Sequence, residues 1–202
     1  MAPDDSSKEA IMSATFDALC ERGYANLTMQ SIADEFDKSK SLIHYHYDSK
    51  DDLLAAFMDH LLENFVDMVT GCGGQDPVDE LRRMAEIVIV GGDDGHDPND
   101  FHTALLGLRA QAPYDEQLRE QLARNDERIR ELIADIVREG QERGQFDESV
   151  DPEAFAALFR YAIEGTQVHG VILGDAAQTD EVLAAVDDLI VDRLLAGEEG
   201  GE

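Results

Sequence analysis

Apolar residues recur along this chain at intervals of three and four, and short polar stretches rich in Gly, Asp and Pro interrupt them. No segment alternates with the period of two that a half-buried strand requires, so the pattern predicts an all-α chain of about nine helices. The first helix is expected from Ser7 to Arg22, with Ile11, Ala14, Thr15, Ala18 and Leu19 inward and Gly23 ending it. Thr28 is placed to cap a second helix that turns Met29, Ile32, Ala33 and Phe36 inward. Ser39 is placed to cap a third, ending near Tyr47. Ser49 is placed to cap a fourth, with Asp51 and Asp52 in a first turn where the helix dipole favours negative charge. Leu53, Leu54, Phe57, Leu61, Phe65 and Met68 continue that helix to Gly71.

Two breaks follow, Cys72–Pro77 and Gly91–Asp100. Asp76 and Pro77 suit an N-cap and first helical position, opening a helix to Val90. The next helix is expected from Phe101 to Gln111, stopped by Pro113, and a long one from Asp115 to Arg143. Asp151 and Pro152 open a helix to Gly174. Thr179 is placed to cap the last, which ends near Gly197. The pattern divides the chain into an N-terminal three-helix module at 1–48, a helical body at 49–197 and a disordered tail at 198–202.

Charge changes this picture. The chain carries 45 acidic and 16 basic residues, a formal net charge of −29. The acids are spread along the chain, and Leu, Ile, Val and Phe recur throughout, so charge does not signal disorder. Such a surface suits the cytoplasm of a halophile, because multimolar salt shortens the Debye length to about 3 Å. An acidic mesophilic protein is the alternative. Cys20 and Cys72 lack a paired spacing and suit reduced thiols. No apolar run reaches membrane-spanning length and no signal sequence precedes the first helix, so a cytoplasmic, membrane-free protein is expected.

Against that acidity stands a local exception. Three of the four lysines, Lys38, Lys40 and Lys50, cluster around His44, Tyr45 and His46. Two short helices joined by a tight turn, with cations and imidazoles on the second, are the parts a helix-turn-helix needs. Ile43 and Tyr47, four apart, would anchor the second helix, leaving Lys40, Ser41, His44 and Tyr45 outward. Lysine, hydroxyl and imidazole groups bond base edges or phosphates.

The order of residues across this segment resembles the TetR family of transcriptional regulators. The likeness runs through ERGY (Glu21–Tyr24), LTMQSIA (Leu27–Ala33) and SKSLIHYHYDSKDDLL (Ser39–Leu54), and covers residues 9–58. Two positions depart from the family pattern: Asp37-Lys38 stands where glycine and a small apolar residue are usual, and His44 where tyrosine is common. Carrying the family's DNA contacts across gives Thr28, Gln30, Lys40, Ser41, Leu42, His44, Tyr45, His46 and Lys50. Lys40, His44 and His46 would take base edges, Thr28, Tyr45 and Lys50 phosphates, and Leu42 a thymine methyl.

The resemblance implies a ligand-binding and dimerisation role for the body: a homodimeric repressor on a palindromic double-stranded operator, released by a small-molecule effector. Met84, Phe101, His102, Leu105, Arg109, Tyr161 and His169 are the candidate effector contacts. The helix from Asp151 is apolar on more than one stripe. By the resemblance, Phe155, Phe159, Ile163, Val186 and Ile190 would meet their copies across a two-fold axis; the alternative is an ordinary monomer core. His96 and His102 lack the tight spacing of metal ligands, so neither metal nor cofactor is expected. No nucleophile–base pattern or phosphate-cradling glycine loop marks an enzyme. The rival reading is an acidic adaptor or anti-regulator of the same fold that does not bind operator DNA.

Overall fold

The computed structural model describes residues 3–36, 40–71, 76–91, 98–174, 177–188 and 194–195, of which 3–5, 40, 98 and 177–180 are described by their backbone alone. Among these residues the chain forms nine helices and no strand. The helices are α1 (Pro3–Asn26), α2 (Met29–Asp34), α3 (Lys40–His46), α4 (Lys50–Thr70), α5 (Pro77–Ile89), α6 (Pro98–Arg109), α7 (Glu116–Glu142), α8 (Pro152–Leu173) and α9 (Ala177–Val186).

The chain folds as two compact units. The first comprises residues 1–64 and 95–125, the second 65–94 and 126–202. Helices α4 and α7 therefore each give residues to both.

In the first unit α1 lies against α2, α3 and α6. Ile11, Ala14, Thr15, Ala18 and Leu19 of α1 are buried, as their spacing predicts. Ile32, Ile43, Leu53 and Phe57 join them at 0 % exposure, with Ala104, Leu105 and Leu108 of α6. Gly23 sits at φ 68°, ψ 164°, so the helix breaks where the sequence suggests, although helical turns resume to Asn26. A left-handed φ there costs a side-chain-bearing residue but not glycine.

In the second unit α8 packs on α5 and α9, around Leu81, Met84, Ile133, Val137 and Phe159. Asp76 accepts from the Val78 N–H at 2.9 Å and Asp151 from those of Glu153 and Ala154 at 3.0 and 3.1 Å, so both expected caps form. Gly174, at φ 64°, ends α8 in a left-handed cap whose N–H bonds the Gly170 carbonyl. Buried Arg160 is neutralised by Asp126 at 3.4 Å and Glu164 at 3.3 Å; Asp126 also accepts from Arg130. Pairing offsets the cost of taking that guanidinium out of water.

Four boundaries need correction, the first at α1, which starts at Pro3 rather than Ser7. Helix α6 starts at Pro98 rather than Phe101 and gives way to turns after Arg109, before Pro113. Helix α9 starts at Ala177, so Thr179 lies inside it; Ala177 and Gln178 are good helix formers and extend the first turn. The turn Asp37-Lys38-Ser39, Cys72, His96, Ile190, the expected end at Gly197 and the tail lie outside the described residues.

Helix α8 carries two apolar stripes. Phe155, Phe159 and Ile163 turn into the core of their own unit, and Val186 of α9 is buried with them. The same helix carries a second apolar stripe on its outer side: Leu158, Tyr161 and Ile172 are 63, 59 and 65 % exposed, with exposed Gly165 and His169 between them.

Candidate nucleic-acid interface

The helix-turn-helix is built from short elements held by specific caps. Thr28 precedes α2 in extended conformation and forms a reciprocal capping box with Ser31. The Ser31 N–H donates to Thr28 Oγ1 at 3.0 Å, and the Thr28 N–H donates to Ser31 Oγ at 2.8 Å. Two donors at the start of α2 are thereby satisfied within the protein. Gln30 is exposed and donates to Asp34 at 2.7 Å, while Arg22 near the end of α1 bonds Glu35 just beyond α2 at 2.7 Å.

Seven residues make α3 too short to persist alone; packing holds it. Ile43 is fully buried, and Leu42 and Tyr47 pack partly buried against the same core. With that face committed, Ser41, His44 and Tyr45 are left in solvent, Tyr45 at 79 % exposure. His46 is half-buried, its ring edge-on to Tyr45 at 5.1 Å. Lys40 opens the helix; its side chain is not among those described. Leu42 offers only its exposed half to a base.

Ser49 caps α4, accepting from the Asp52 N–H at 3.1 Å and donating to the Asp52 carboxylate at 2.7 Å. Lys50 is not simply extended into solvent. Its ammonium donates to the Leu27 carbonyl at 3.2 Å and lies 4.5 Å from the centre of the Tyr24 ring. An ammonium has three donors, so one bond to Leu27 leaves capacity for a phosphate. The sequence reading did not place Tyr24 and Leu27 as the seat of Lys50; the contacts link residues 23 or more positions apart. Several arginines elsewhere are committed to ion pairs, such as Arg82–Asp187 at 2.6 Å and Arg138 with Asp135 and Glu153.

The candidate effector residues are divided between the two units. Phe101, His102, Leu105 and Arg109 belong to the first unit; Met84, Tyr161 and His169 belong to the second. Phe101 stacks on Phe16 at 4.9 Å as part of the core, and His102, Leu105 and Met84 are buried. Tyr161 and His169 lie exposed on the outer side of α8.

A capped α2, a short α3 offering hydroxyl, imidazole and phenol groups, and a lysine at the next helix start define a helix-turn-helix transcriptional regulator. The sequence pattern described as "Bacterial regulatory proteins, tetR family" matches residues 11–57, and that described as "BetI-type transcriptional repressor, C-terminal" matches 77–195. The chain belongs to the TetR family. It is 36 % identical to a TetR transcription regulator from Haloarcula marismortui, covering 95 % of this chain and all of that one with a TM-score of 0.80. A TetR-family transcriptional regulator from Rhodococcus sp. is 26 % identical, with 92 and 99 % coverage and a TM-score of 0.78. The HTH-type transcriptional regulator YdeS of Bacillus subtilis is 26 % identical over 85 % of this chain and 86 % of its own. No described helix is long and apolar enough to cross a membrane.

Proposed function

We propose that the chain is a homodimeric repressor that reads a palindromic operator through α3 and is released by a small-molecule effector. The observation that carries the reading is the outward face of α3, where Ser41, His44 and Tyr45 stand in solvent around a buried Ile43. Hydroxyl and imidazole groups on such a helix reach base edges in the major groove, and Thr28, Tyr45 and Lys50 flank them for phosphates.

Dimerisation follows from the size of the reader. One seven-residue helix contacts a few base pairs; two, brought about one helical turn apart by a symmetric dimer, specify an operator. The outer stripe of α8, with Leu158, Tyr161 and Ile172, is the surface that supports pairing. An effector that binds one separation of the recognition helices better than the other would shift the dimer between them. Helix α4 would carry the shift, since it begins beside α3 and ends among residues of the second unit.

Acidity sets an unusual energetic condition. A dimer carries twice −29. Affinity must come from base hydrogen bonds and apolar contact more than from counterion release, which predicts a shallower loss of affinity with rising salt than a basic repressor has. The test is nuclease footprinting of the DNA upstream of its own gene, in about 2 M potassium chloride so that charges are screened. A protected two-fold symmetric segment, lost in Lys40→Ala/His44→Ala, is expected. A folded native dimer that protects nothing would favour the acidic adaptor instead.

A further inference from the structure

The first unit carries a groove between α1 and α6 that no part of the DNA-reading face uses. It encloses about 390 Å³, within the range of roughly 300–1,000 Å³ typical of small-molecule sites. Its floor is apolar, from Leu19 of α1 and Ala104 and Gly107 of α6, and its polar lining includes Tyr24, Asp100 and Gln111. The groove exists for local reasons. Helix α1 breaks its regular course at Gly23, and α6 has the small residues Ala104 and Gly107 where bulkier side chains would fill the space. A Cβ added at Gly107 would meet nothing within 4 Å.

The lining determines what fits. One carboxylate, Asp100, and no cationic side chain line the groove among the described residues. The chain's net charge of −29 raises the local concentration of cations at such a cleft. Asp100 stands seven residues before Gly107 on α6, about 10 Å along the helix. A primary amine joined by a short linker to a flat apolar body spans that distance, with its ammonium at Asp100 and its body on the Ala104–Gly107 floor.

Tyr24 gives the groove a link to the DNA-facing module. It lines the groove, and its ring also carries the Lys50 ammonium. Lys50 is the first residue of α4 and is held by Leu27, immediately before Thr28. A ligand pressing on Tyr24 acts on the seat of Lys50 through a single side chain.

We propose that the α1/α6 groove is a ligand site for a primary arylalkyl amine, and that its occupancy is transmitted through Tyr24 to Lys50. The transmission half rests on the operator reading above; the binding half does not. Calorimetric titration of the full chain with 2-phenylethylamine tests the binding half. Native protein is expected to bind it, and to bind the neutral 2-phenylethanol at least tenfold more weakly. Gly107→Leu, which fills the groove, and Asp100→Asn, which removes its charge, should each weaken the amine at least tenfold while leaving the circular dichroism spectrum unchanged. No binding to native protein, or undiminished binding to a folded Gly107→Leu, would overturn the site. Should Gly107→Leu fail to fold, Asp100→Asn and the neutral isostere decide the matter.

Operator anisotropy with and without amine tests the transmission half. Lower affinity in native protein, abolished by Tyr24→Leu, is expected. Amine binding that leaves operator affinity unchanged would overturn transmission and leave the site standing. Native protein that binds no operator would instead count against the repressor reading, and calorimetry would still decide the groove.

Discussion

Helices α3 and α8 solve the same problem in opposite ways. Each buries one face in its own unit and leaves another exposed. The seven residues of α3 hold a single fully buried anchor, Ile43, and a polar outer face. The 22 residues of α8 are apolar on both sides, with Phe155, Phe159 and Ile163 inward and Leu158, Tyr161 and Ile172 outward. Polar chemistry marks the outer face of α3 at once. On α8 large apolar residues stand on both faces, so residue type separates them poorly and burial makes the distinction. The difference teaches that a recognition surface is legible when its chemistry differs from the core's, and hidden when it does not.

The comparison breaks most sharply at α8. Phe159→Ala should cost about 3–5 kcal/mol in unfolding free energy, because it opens a cavity in a core where the ring has no exposure. Chemical denaturation of both proteins measures this. Leu158→Ala, one residue away, should cost under about 0.5 kcal/mol in the monomer, as surface positions do. Equal costs at the two sites would erase the distinction between the stripes.

The second effect concerns assembly. Leu158→Glu/Ile172→Glu places charge on the outer stripe without touching the inner one. On the proposed pairing, sedimentation should find the native chain dimeric and this variant a folded monomer. A variant that remains dimeric would move the interface elsewhere and leave the apolar outer stripe unexplained.

Smaller effects sharpen the account of α3. Thr28→Ala removes the acceptor for the Ser31 N–H and should cost about 1 kcal/mol, read as a lower denaturation midpoint. Because α2 packs on α3, operator affinity should fall with it. An unchanged midpoint would mean that the capping box contributes nothing in solution.

The smallest effect is a pH dependence in the second unit. Burial, and next the nearby Glu139, push the Glu80 carboxyl above the ordinary glutamate value. The folded chain then holds this proton more tightly than the unfolded one, so stability falls as pH rises from the ordinary value through the raised one. Glu80→Gln should be slightly more stable than native protein at neutral pH, and the gap should close below the usual carboxylate range. Thermal melts across pH check it; a gap that widens on acidification would contradict the sign.

Much of this architecture was legible in the chain because local chemistry and tertiary position agree. Thr28, Asp76 and Asp151 are caps by residue type and caps in the fold; the α1 stripe at Ile11, Ala14, Thr15, Ala18 and Leu19 is buried as spaced. The α3 assignment followed from Ile43 and Tyr47 lying four apart. What failed depends on contacts distant in sequence. Nothing local says that Phe159 rather than Leu158 faces inward, that Lys50 sits on Tyr24, or that Tyr161 and His169 point away from the interior. The α1/α6 groove was invisible for the same reason. Ala104 and Gly107 are ordinary helix residues until α1 lies beside them.

The central claim is that the outer face of α3 reads operator DNA. Fluorescence anisotropy with the footprinted operator, comparing native protein with His44→Ala, tests it most directly. A base contact is worth about 1–3 kcal/mol, so His44→Ala should weaken operator binding by roughly five- to 150-fold and leave binding to unrelated DNA nearly unchanged. Equal affinity of native protein and His44→Ala for the operator, with both folded and dimeric, would contradict the claim that this face carries base recognition.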